Sequence, residues 1–345
     1  MTPLTSPLTG LGVTAPVLAA PMAGGPTTTA MVKAAAETGG LGFLAAGYKS
    51  VPQLAGQIAE ARESAPVFGV NLFAPNSQAI DPVVYRRYAG LLESLAQRYG
   101  VKLPDDPVED DDDWQPKLDL LRHDPVPVVS FTFAIPPREV IDALRAQGTV
   151  VVQTVTNAAE ARAAADAGVD MLAVQGWAAG GHSATLTPAR FPEPLPTAEL
   201  VAMIREAAPL PVIAAGGLAT PADVAAAIRS GAQGVMVGTA LLRTPESGAS
   251  AVHRAALADP ARNGTVLTRS FTGRPARALR NQFTDSFQGI CPAGYPAVHH
   301  LTSPIRKAAA AAGDPEAVHL WAGTGYRQAT TDPAADVLRD LAGGL

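Results

Sequence analysis

The chain has 345 residues, of which 47% are hydrophobic and 17% are charged, and its formal net charge is −5. This composition permits a large core and argues against global disorder, and the absence of a Lys/Arg cluster argues against nucleic-acid binding. The single cysteine, Cys291, excludes an internal disulfide framework, which suits a reducing compartment. Without a secretory leader pattern or an apolar run of about 18 residues, we expect a cytoplasmic protein with no membrane span.

Short apolar runs alternate with longer amphipathic stretches, which is the pattern of parallel βα units. Eight runs are strand candidates: residues 17–22, 41–46, 67–73, 126–133, 150–155, 170–175, 211–215 and 234–237. Helix candidates lie near residues 27–38, 51–63, 81–98, 136–146, 157–167, 197–206, 221–230 and 250–258. This order predicts an α/β fold of the (β/α)8 TIM-barrel type, with a doubly wound open sheet as the alternative.

Two regions exceed a minimal barrel. An insertion of about residues 74–125 follows the third strand, and its acidic run at 105–113 is interpreted as a solvated loop rather than a cation site. About a hundred residues follow the eighth strand. We predict that residues 1–245 form the barrel and that residues 246–345 are a C-terminal extension covering the catalytic face.

The last two strand candidates both end in glycine. Gly216 and Gly217 follow the seventh strand, and Gly238 and Thr239 follow the eighth. Barrels often bind phosphate at these two loops, where glycine removes the Cβ that would block an anion and leaves backbone N–H groups exposed. The sequence therefore predicts a phosphate site here, with ordinary strand-end turns as the alternative.

Polar side chains also occur at strand ends. Asn71 and Gln175 are amides in otherwise apolar strands, and a buried amide left without partners costs about 1–3 kcal/mol. These amides either form hydrogen bonds with backbone groups of the barrel or form them with the edge of a uracil-like or flavin-like ring. Thr132 ends the fourth strand at the same mouth, and the small residues after Pro21 leave room for a flat ligand.

Segment 174–182 begins at the end of an apolar strand, continues as a glycine-rich turn and ends at His182. The imidazole of a histidine can exchange a proton near neutral pH. A mobile surface turn with an incidental histidine is the alternative. The histidines in predicted helices or in the extension are interpreted as surface or structural residues: His123, His253, His299, His300 and His319. No His-x-x-x-His spacing occurs and one cysteine cannot build a thiolate cluster, so the sequence predicts no metal and favours an organic cofactor.

Together these features resemble the nitronate monooxygenase family. The matching segments, in chain order, are residues 20–25, 39–50, 68–73, 129–133, 175–182, 212–217 and 270–277. The resemblance implies an FMN-binding TIM barrel that oxidises alkyl nitronates, typically propionate 3-nitronate, with molecular oxygen, a detoxification reaction. The expected partners are thus a small nitronate and O2, with no nucleic acid and no membrane; the oligomeric state stays open.

The resemblance also implies roles for particular residues. His182 is the expected catalytic residue, and Thr132 and Lys49 are candidate substrate contacts, with a solvent-exposed lysine as the alternative for Lys49. The family usually has Gln in place of Met236 and Glu in place of Ala178, so a side-chain contact from position 236 is in doubt. The candidate FMN-binding residues are Met22, Ala23, Asn71, Gln175, Gly180, Gly181, Gly216, Gly217, Met236, Val237, Gly238 and Thr239.

Two other functions stay open. A flavin-dependent NAD(P)H reductase of the enoyl-acyl-carrier-protein or quinone type would share the barrel and the Ala-Gly-Gly-His turn. A non-catalytic barrel that binds FMN or another phosphate ligand would share the glycine loops. Segments 47–50 and 271–277 resemble nitronate enzymes more closely, so the sequence favours the nitronate monooxygenase.

Overall fold

The computed structural model describes residues 6–76 and 79–345. A parallel barrel is formed by β1 (Val17–Ala19), β2 (Phe43–Ala45), β3 (Gly69–Phe73), β4 (Val128–Thr132), β5 (Val150–Val155), β6 (Met171–Gln175), β8 (Val212–Ala215) and β9 (Gly234–Val237). Its strands are neighbours in the order β1-β9-β8-β6-β5-β4-β3-β2. A bridge between Ala19 and Gly42 joins the two ends, so the barrel is nearly closed. The (β/α)8 prediction is confirmed, and the open-sheet alternative is wrong.

Successive side chains of each strand point into two different cores, because a strand alternates its faces with a period of two. Leu18, Phe43 and Ile213 belong to the barrel interior, and Leu8 of the short helix α1 (Pro7–Gly10) packs in the same cluster. Their neighbours along the strands face outward, against the surrounding helices. Both faces are thus covered, which explains why the strands read as continuous apolar runs.

A ring of helices packs around the barrel, formed by α2 (Thr29–Glu37), α3 (Val51–Ser64), α5 (Trp114–His123), α6 (Arg138–Arg145), α7 (Ala158–Ala167), α8 (Thr197–Ala207), α9 (Pro221–Arg229) and α13 (Ala334–Ala342). The last of these, α13, packs against α2, α9 and β1. Leu338 and Leu341 are buried in the core between helices and barrel. The C-terminal helix therefore departs from the predicted division at residue 245, because its apolar face completes the outer ring instead of covering the mouth.

The insertion is narrower than predicted. Its first helix, α4 (Pro82–Arg98), packs against α12 (Ala297–Ala311) of the C-terminal extension, and Tyr88 Oη donates to the carbonyl oxygen of Ser270 at 2.7 Å. Helix α5, in contrast, packs between α3 and α6, and its leucines are buried in the core between the helices and the barrel. The inserted segment thus ends before α5, and α4 shares a third apolar core with the C-terminal extension.

A small antiparallel sheet stands beside the barrel. It contains β7 (Gly181–His182), β10 (Thr265–Thr268) and β11 (Ala276–Leu279), in the order β10-β11-β7. The predicted helix near 250–258 is α10 (Ala251–Ala258); it and α11 (Gln282–Phe287) complete the helices of the extension. No helix within the described ranges is both long and apolar enough to cross a lipid bilayer.

Candidate functional site

A cavity of about 900 Å³ lies at the carboxyl ends of the barrel strands. This volume falls in the range of small-molecule and cofactor sites, about 300–1,000 Å³. The structure brings all the candidate residues from the sequence to its wall: Met22, Ala23, Lys49, Asn71, Thr132, Gln175, Gly180, Gly181, His182, Gly216, Gly217, Met236, Val237, Gly238 and Thr239. Their individual functions stay predictions.

Backbone donors line the part of the cavity at the ends of β8 and β9. Within the described ranges, the N–H groups of Gly217, Gly238 and Thr239 donate to no protein atom. Gly217 has a φ of 73°, and a Cβ there would lie 2.7 Å from the Cβ of Ala178, so the turn requires glycine. Thr239 begins a single turn of 3₁₀ helix, Thr239–Leu241. Unpaired N–H groups at such a terminus suit an anion.

The amides of Asn71 and Gln175 have protein partners. Asn71 Nδ2 donates to Ser130 Oγ at 2.9 Å and to Thr132 Oγ1 at 3.0 Å. Gln175 Nε2 donates to the carbonyl oxygen of His182 at 3.0 Å, while its Oε1 accepts from the N–H of Ala184 at 2.7 Å. Gln175 therefore fixes the segment that carries His182. Asn71 Oδ1 makes no hydrogen bond with the described residues, so it remains an acceptor for a ligand.

His182 lies in β7, opposite Ala276 of β11, and not in a free turn. The mobile-turn alternative is therefore wrong, because strand pairing and Gln175 hold the segment. Its Nε2 lies 2.9 Å from Thr272 Oγ1, and its ring packs near Phe133, Tyr295 and Trp321. Its Nδ1 makes no hydrogen bond with the described residues and is left for a ligand in the cavity.

Burial and two nearby cations keep His182 neutral. Desolvation, followed by the charges of Arg274 and Arg306, lowers its pKa to about 3. Burial disfavours the charged imidazolium, so this environment does not favour proton exchange by His182 near neutral pH. His182 instead offers one donor and one acceptor at neutral pH.

Arg274 is a fully buried cation near this histidine. Its Nε donates to the carbonyl oxygen of Ser183 at 3.0 Å, and its guanidinium carbon lies 3.9 Å from the centroid of the Phe133 ring. Its Nη1 is buried without a partner among the described residues. Phe133 has a φ of 85°, a strained conformation for a bulky residue, of the kind that concentrates at ligand sites.

Several residues at the cavity were missed or misread in the sequence. His253, His299, His300 and His319, interpreted as surface or structural residues, line the wall together with Arg306 and Trp321. The sequence did carry one signal: positions 299, 303 and 306 are spaced three and four apart and share one face of α12. Periodicity indicates such a face but not the cavity that it meets.

Asp112 and Lys49 are half-buried, whereas the other acidic residues of segment 105–113 are exposed, as expected for a solvated loop. Asp112 Oδ2 lies 2.8 Å from Nζ of the buried Lys117, and Asp112 Oδ1 accepts from the N–H of Tyr48 at 2.8 Å. Lys49 Nζ donates to Gln57 Oε1 at 2.5 Å, and partial burial lowers its pKa. The exposed alternative for Lys49 is thus wrong. No group of acidic, cysteine or histidine side chains in the described part of the chain is arranged to hold a metal ion.

Fold and site define the class of protein: a (β/α)8-barrel enzyme whose ligand cavity lies at the carboxyl ends of its strands. Residues 5–344 match the nitronate monooxygenase family. A probable nitronate monooxygenase of Staphylococcus aureus (strain Newman) is 35% identical over 336 residues, which cover 96% of this chain and 94% of that protein. The chain therefore belongs to the nitronate monooxygenase family and is an oxidoreductase.

Solved structures show the same relationship. A nitroalkane oxidase from Streptomyces ansochromogenes superposes with a TM-score of 0.93 and 44% identity, covering 99% of this chain and 98% of that one. FabK from Thermotoga maritima superposes with a TM-score of 0.75 and 25% identity, covering 98% and 95% of the two chains. The nitroalkane oxidase therefore has both a higher sequence identity and a higher TM-score to this chain than FabK does.

Proposed function

We propose that this protein is an FMN-dependent enzyme that oxidises alkyl nitronates with molecular oxygen. One observation carries the proposal: a single cavity holds both the unpaired N–H groups at the ends of β8 and β9 and the accessible Nδ1 of His182. Membership of the nitronate monooxygenase family and similarity to a nitroalkane oxidase support this class of substrate.

The residues present fit FMN. Its phosphate would accept hydrogen bonds from the N–H groups of Gly217, Gly238 and Thr239, with Gly216, Met236 and Val237 supplying the surrounding backbone. Its flat ring would lie against small or amide residues of the other strand ends: Met22, Ala23, Asn71, Gln175, Gly180 and Gly181. A Cβ at Gly181 would meet nothing within 4 Å, which leaves room for a ligand there. When bound, FMN supplies electron transfer from the substrate to oxygen.

His182 would position the nitronate. A nitronate is already a carbanion equivalent, so its oxidation requires no strong base. With a pKa of about 3, His182 is a far weaker base than free imidazole, but its neutral ring can hydrogen-bond a nitronate oxygen. Thr132 and Lys49, which line the same cavity, are further proposed substrate contacts.

The extension would enclose the substrate. His299, His319 and Trp321, all within residues 246–345, form part of the cavity wall. Exclusion of water strengthens electrostatic interactions inside such a site and limits side reactions. We therefore retain the covering function for the extension apart from α13.

Anaerobic spectroscopy tests the proposal. The yellow protein is mixed with ethyl nitronate or, separately, with NADH, and its flavin absorbance near 450 nm is followed. We expect bleaching by the nitronate and none by NADH alone. Bleaching by NADH would favour a reductase, whereas bleaching by neither would favour a non-catalytic binding barrel.

A further inference from the structure

Arg306 is a buried cation in the wall of the cavity. Its residue surface is 5% exposed, and it projects from α12 among the residues that line the site. Its Nε donates to Thr302 Oγ1 at 3.0 Å, its Nη2 donates to the carbonyl oxygen of His299 at 2.7 Å, and its Nη1 lies 3.2 Å from His319 Nδ1. These contacts fix the guanidinium in place.

None of these partners balances the positive charge. No ion pair among residues 6–76 and 79–345 includes Arg306. Burial, followed by the charge of Arg306, lowers the pKa of His299 and of His319 well below the usual range, so both rings are neutral. Tyr48 and Tyr295 both interact electrostatically with Arg306, but desolvation raises the pKa of each phenol, so neither supplies a negative charge at neutral pH.

The fully buried Arg274 adds a second cation near His182. Burial of a charge without a countercharge is unfavourable, and an apolar side chain of similar volume would stabilise the fold at least as well. The stability of the fold therefore does not explain why a guanidinium without a countercharge lies in the cavity wall. Its planar donors match a planar anion with two oxygens.

We propose that Arg306 binds the nitronate oxygens of the substrate and makes the cavity selective for anions over neutral nitro compounds. The proposal rests on the proposed function, because it takes the anionic nitronate as the substrate that Arg306 recognises. His299 and His319 are positioning residues, which hold the guanidinium through its other N–H groups. Arg306 and His182 would then contact the same anionic group from two sides of the cavity.

The test compares Arg306→Met, Arg306→Lys and the wild-type holoenzyme. We expect the KM for ethyl nitronate to rise about tenfold to a hundredfold in Arg306→Met, as loss of one charge-assisted hydrogen bond predicts. The inhibition constant of freshly dissolved, neutral nitroethane should change less than about twofold, because the uncharged molecule gains little from the cation. Arg306→Lys should recover part of the affinity.

Arg87→Met is the matched comparison, since it removes the same charge from an exposed position of α4 that does not line the cavity. We expect it to raise the KM for ethyl nitronate less than about threefold, because an exposed charge is screened. An equal rise in both variants would overturn the proposal in favour of a general positive field. Parallel weakening of nitronate and nitroethane binding in Arg306→Met would also overturn it, since that pattern indicates a damaged cavity.

A binding measurement separates this proposal from the proposed function. Nitrite and propionate, two-oxygen anions, should raise the thermal midpoint of the wild-type holoenzyme, and Arg306→Met should abolish that rise. A rise caused by propionate but not by nitrite would assign Arg306 to a substrate carboxylate and overturn the nitronate contact. If the wild-type enzyme oxidises no nitronate but shows the Arg306-dependent rise with nitrite, the function fails and the anion site stands. If the rise is absent or survives in the variant, the anion site fails.

Discussion

His182 and Thr272 join two parts of the molecule that are 90 residues apart in sequence, through a distance of 2.9 Å between Nε2 and Oγ1. His182 follows the sixth barrel strand, whereas Thr272 belongs to the segment between β10 and β11 of the extension. The contact fixes one ring nitrogen and leaves Nδ1 for the cavity. The extension therefore contributes to the orientation of the candidate catalytic residue as well as to the cavity wall.

Replacement of His182 should affect turnover more than folding. We expect His182→Ala to retain FMN and to lower kcat/KM for ethyl nitronate by about tenfold to a hundredfold, because one charge-assisted hydrogen bond to the nitronate is lost. His123→Ala, which changes an exposed histidine of α5, should behave as wild type. Steady-state kinetics and flavin absorbance check both. Unchanged activity in His182→Ala would make this histidine structural.

Replacement of Gly217 should expel FMN. Gly217→Val introduces a Cβ at a φ of 73° and 2.7 Å from the Cβ of Ala178, so the loop must move and its N–H groups leave the phosphate. We expect at least a tenfold loss of FMN affinity, equivalent to about 1.4 kcal/mol. Gly238→Val should act in the same direction at the neighbouring strand end.

Gly148→Val is the matched control for backbone strain. Gly148 has a φ of 83°, its Cβ would meet nothing within 4 Å, and it does not line the cavity. This variant should lose stability but keep FMN, measured as flavin absorbance per protein after gel filtration. Full occupancy in both Gly217→Val and Gly238→Val would remove the phosphate site from these loops.

The apolar Met236 should cost FMN little affinity. It is 7% exposed and packs with the barrel interior, so its backbone follows the β9 pairing whichever side chain is present. We expect Met236→Gln to tighten FMN at most about tenfold, the value of one hydrogen bond of about 0.5–1.5 kcal/mol. Met236→Leu is the control for shape alone. A hundredfold tightening in a fluorescence titration would show that the amide dominates.

The folded protein should lose stability as the pH falls below about 6.5. Burial lowers the pKa of His182 to about 3 and that of His253 to about 4, and it also lowers the pKa values of His299 and His319. Unfolded histidines titrate near 6.5, so between that pH and the folded pKa values the unfolded chain binds more protons. Stability conferred by the neutral rings is therefore present above pH 6.5 and lost on acidification.

Urea unfolding between pH 7 and pH 5.5 measures this dependence. Each of the four histidines can contribute up to one proton to the slope of the unfolding free energy against pH, about 1.4 kcal/mol per pH unit for each proton. His253→Gln should remove about 0.6 of a proton from the average slope over this range, rising to close to one near pH 5.5. A wild-type slope near zero would contradict the buried neutral state of these rings.

Helix α13 should be part of the stable barrel. Leu338 is 1% exposed in the core between helices and barrel, so Leu338→Ala is expected to lower the unfolding free energy by about 2–5 kcal/mol. Arg339→Ala, at an adjacent exposed position, should change it by less than about 0.5 kcal/mol. A loss below about 1 kcal/mol in Leu338→Ala would mean that this helix is not required by the barrel.

The sequence by itself determined the barrel and the inner wall of its cavity. The apolar strand runs and the glycines at 216 and 217 express local requirements, because buried strands need apolar residues and a left-handed turn needs glycine. Because parallel strands of a barrel end at one face, the positions of these residues along the chain were enough to bring them together.

The tertiary structure decided which distant elements complete the site and the ring. The face of α12 that carries His299 and Arg306, and the face of α13 that carries Leu338, are both readable as periodic patterns. A periodic pattern shows that one face of a helix is buried, but it does not identify the surface against which that face packs. In the folded chain α12 lines the cavity, whereas α13 packs against the barrel. The neutrality of His182 likewise depends on burial and on Arg274 and Arg306, which are remote in sequence and meet it only in the folded chain.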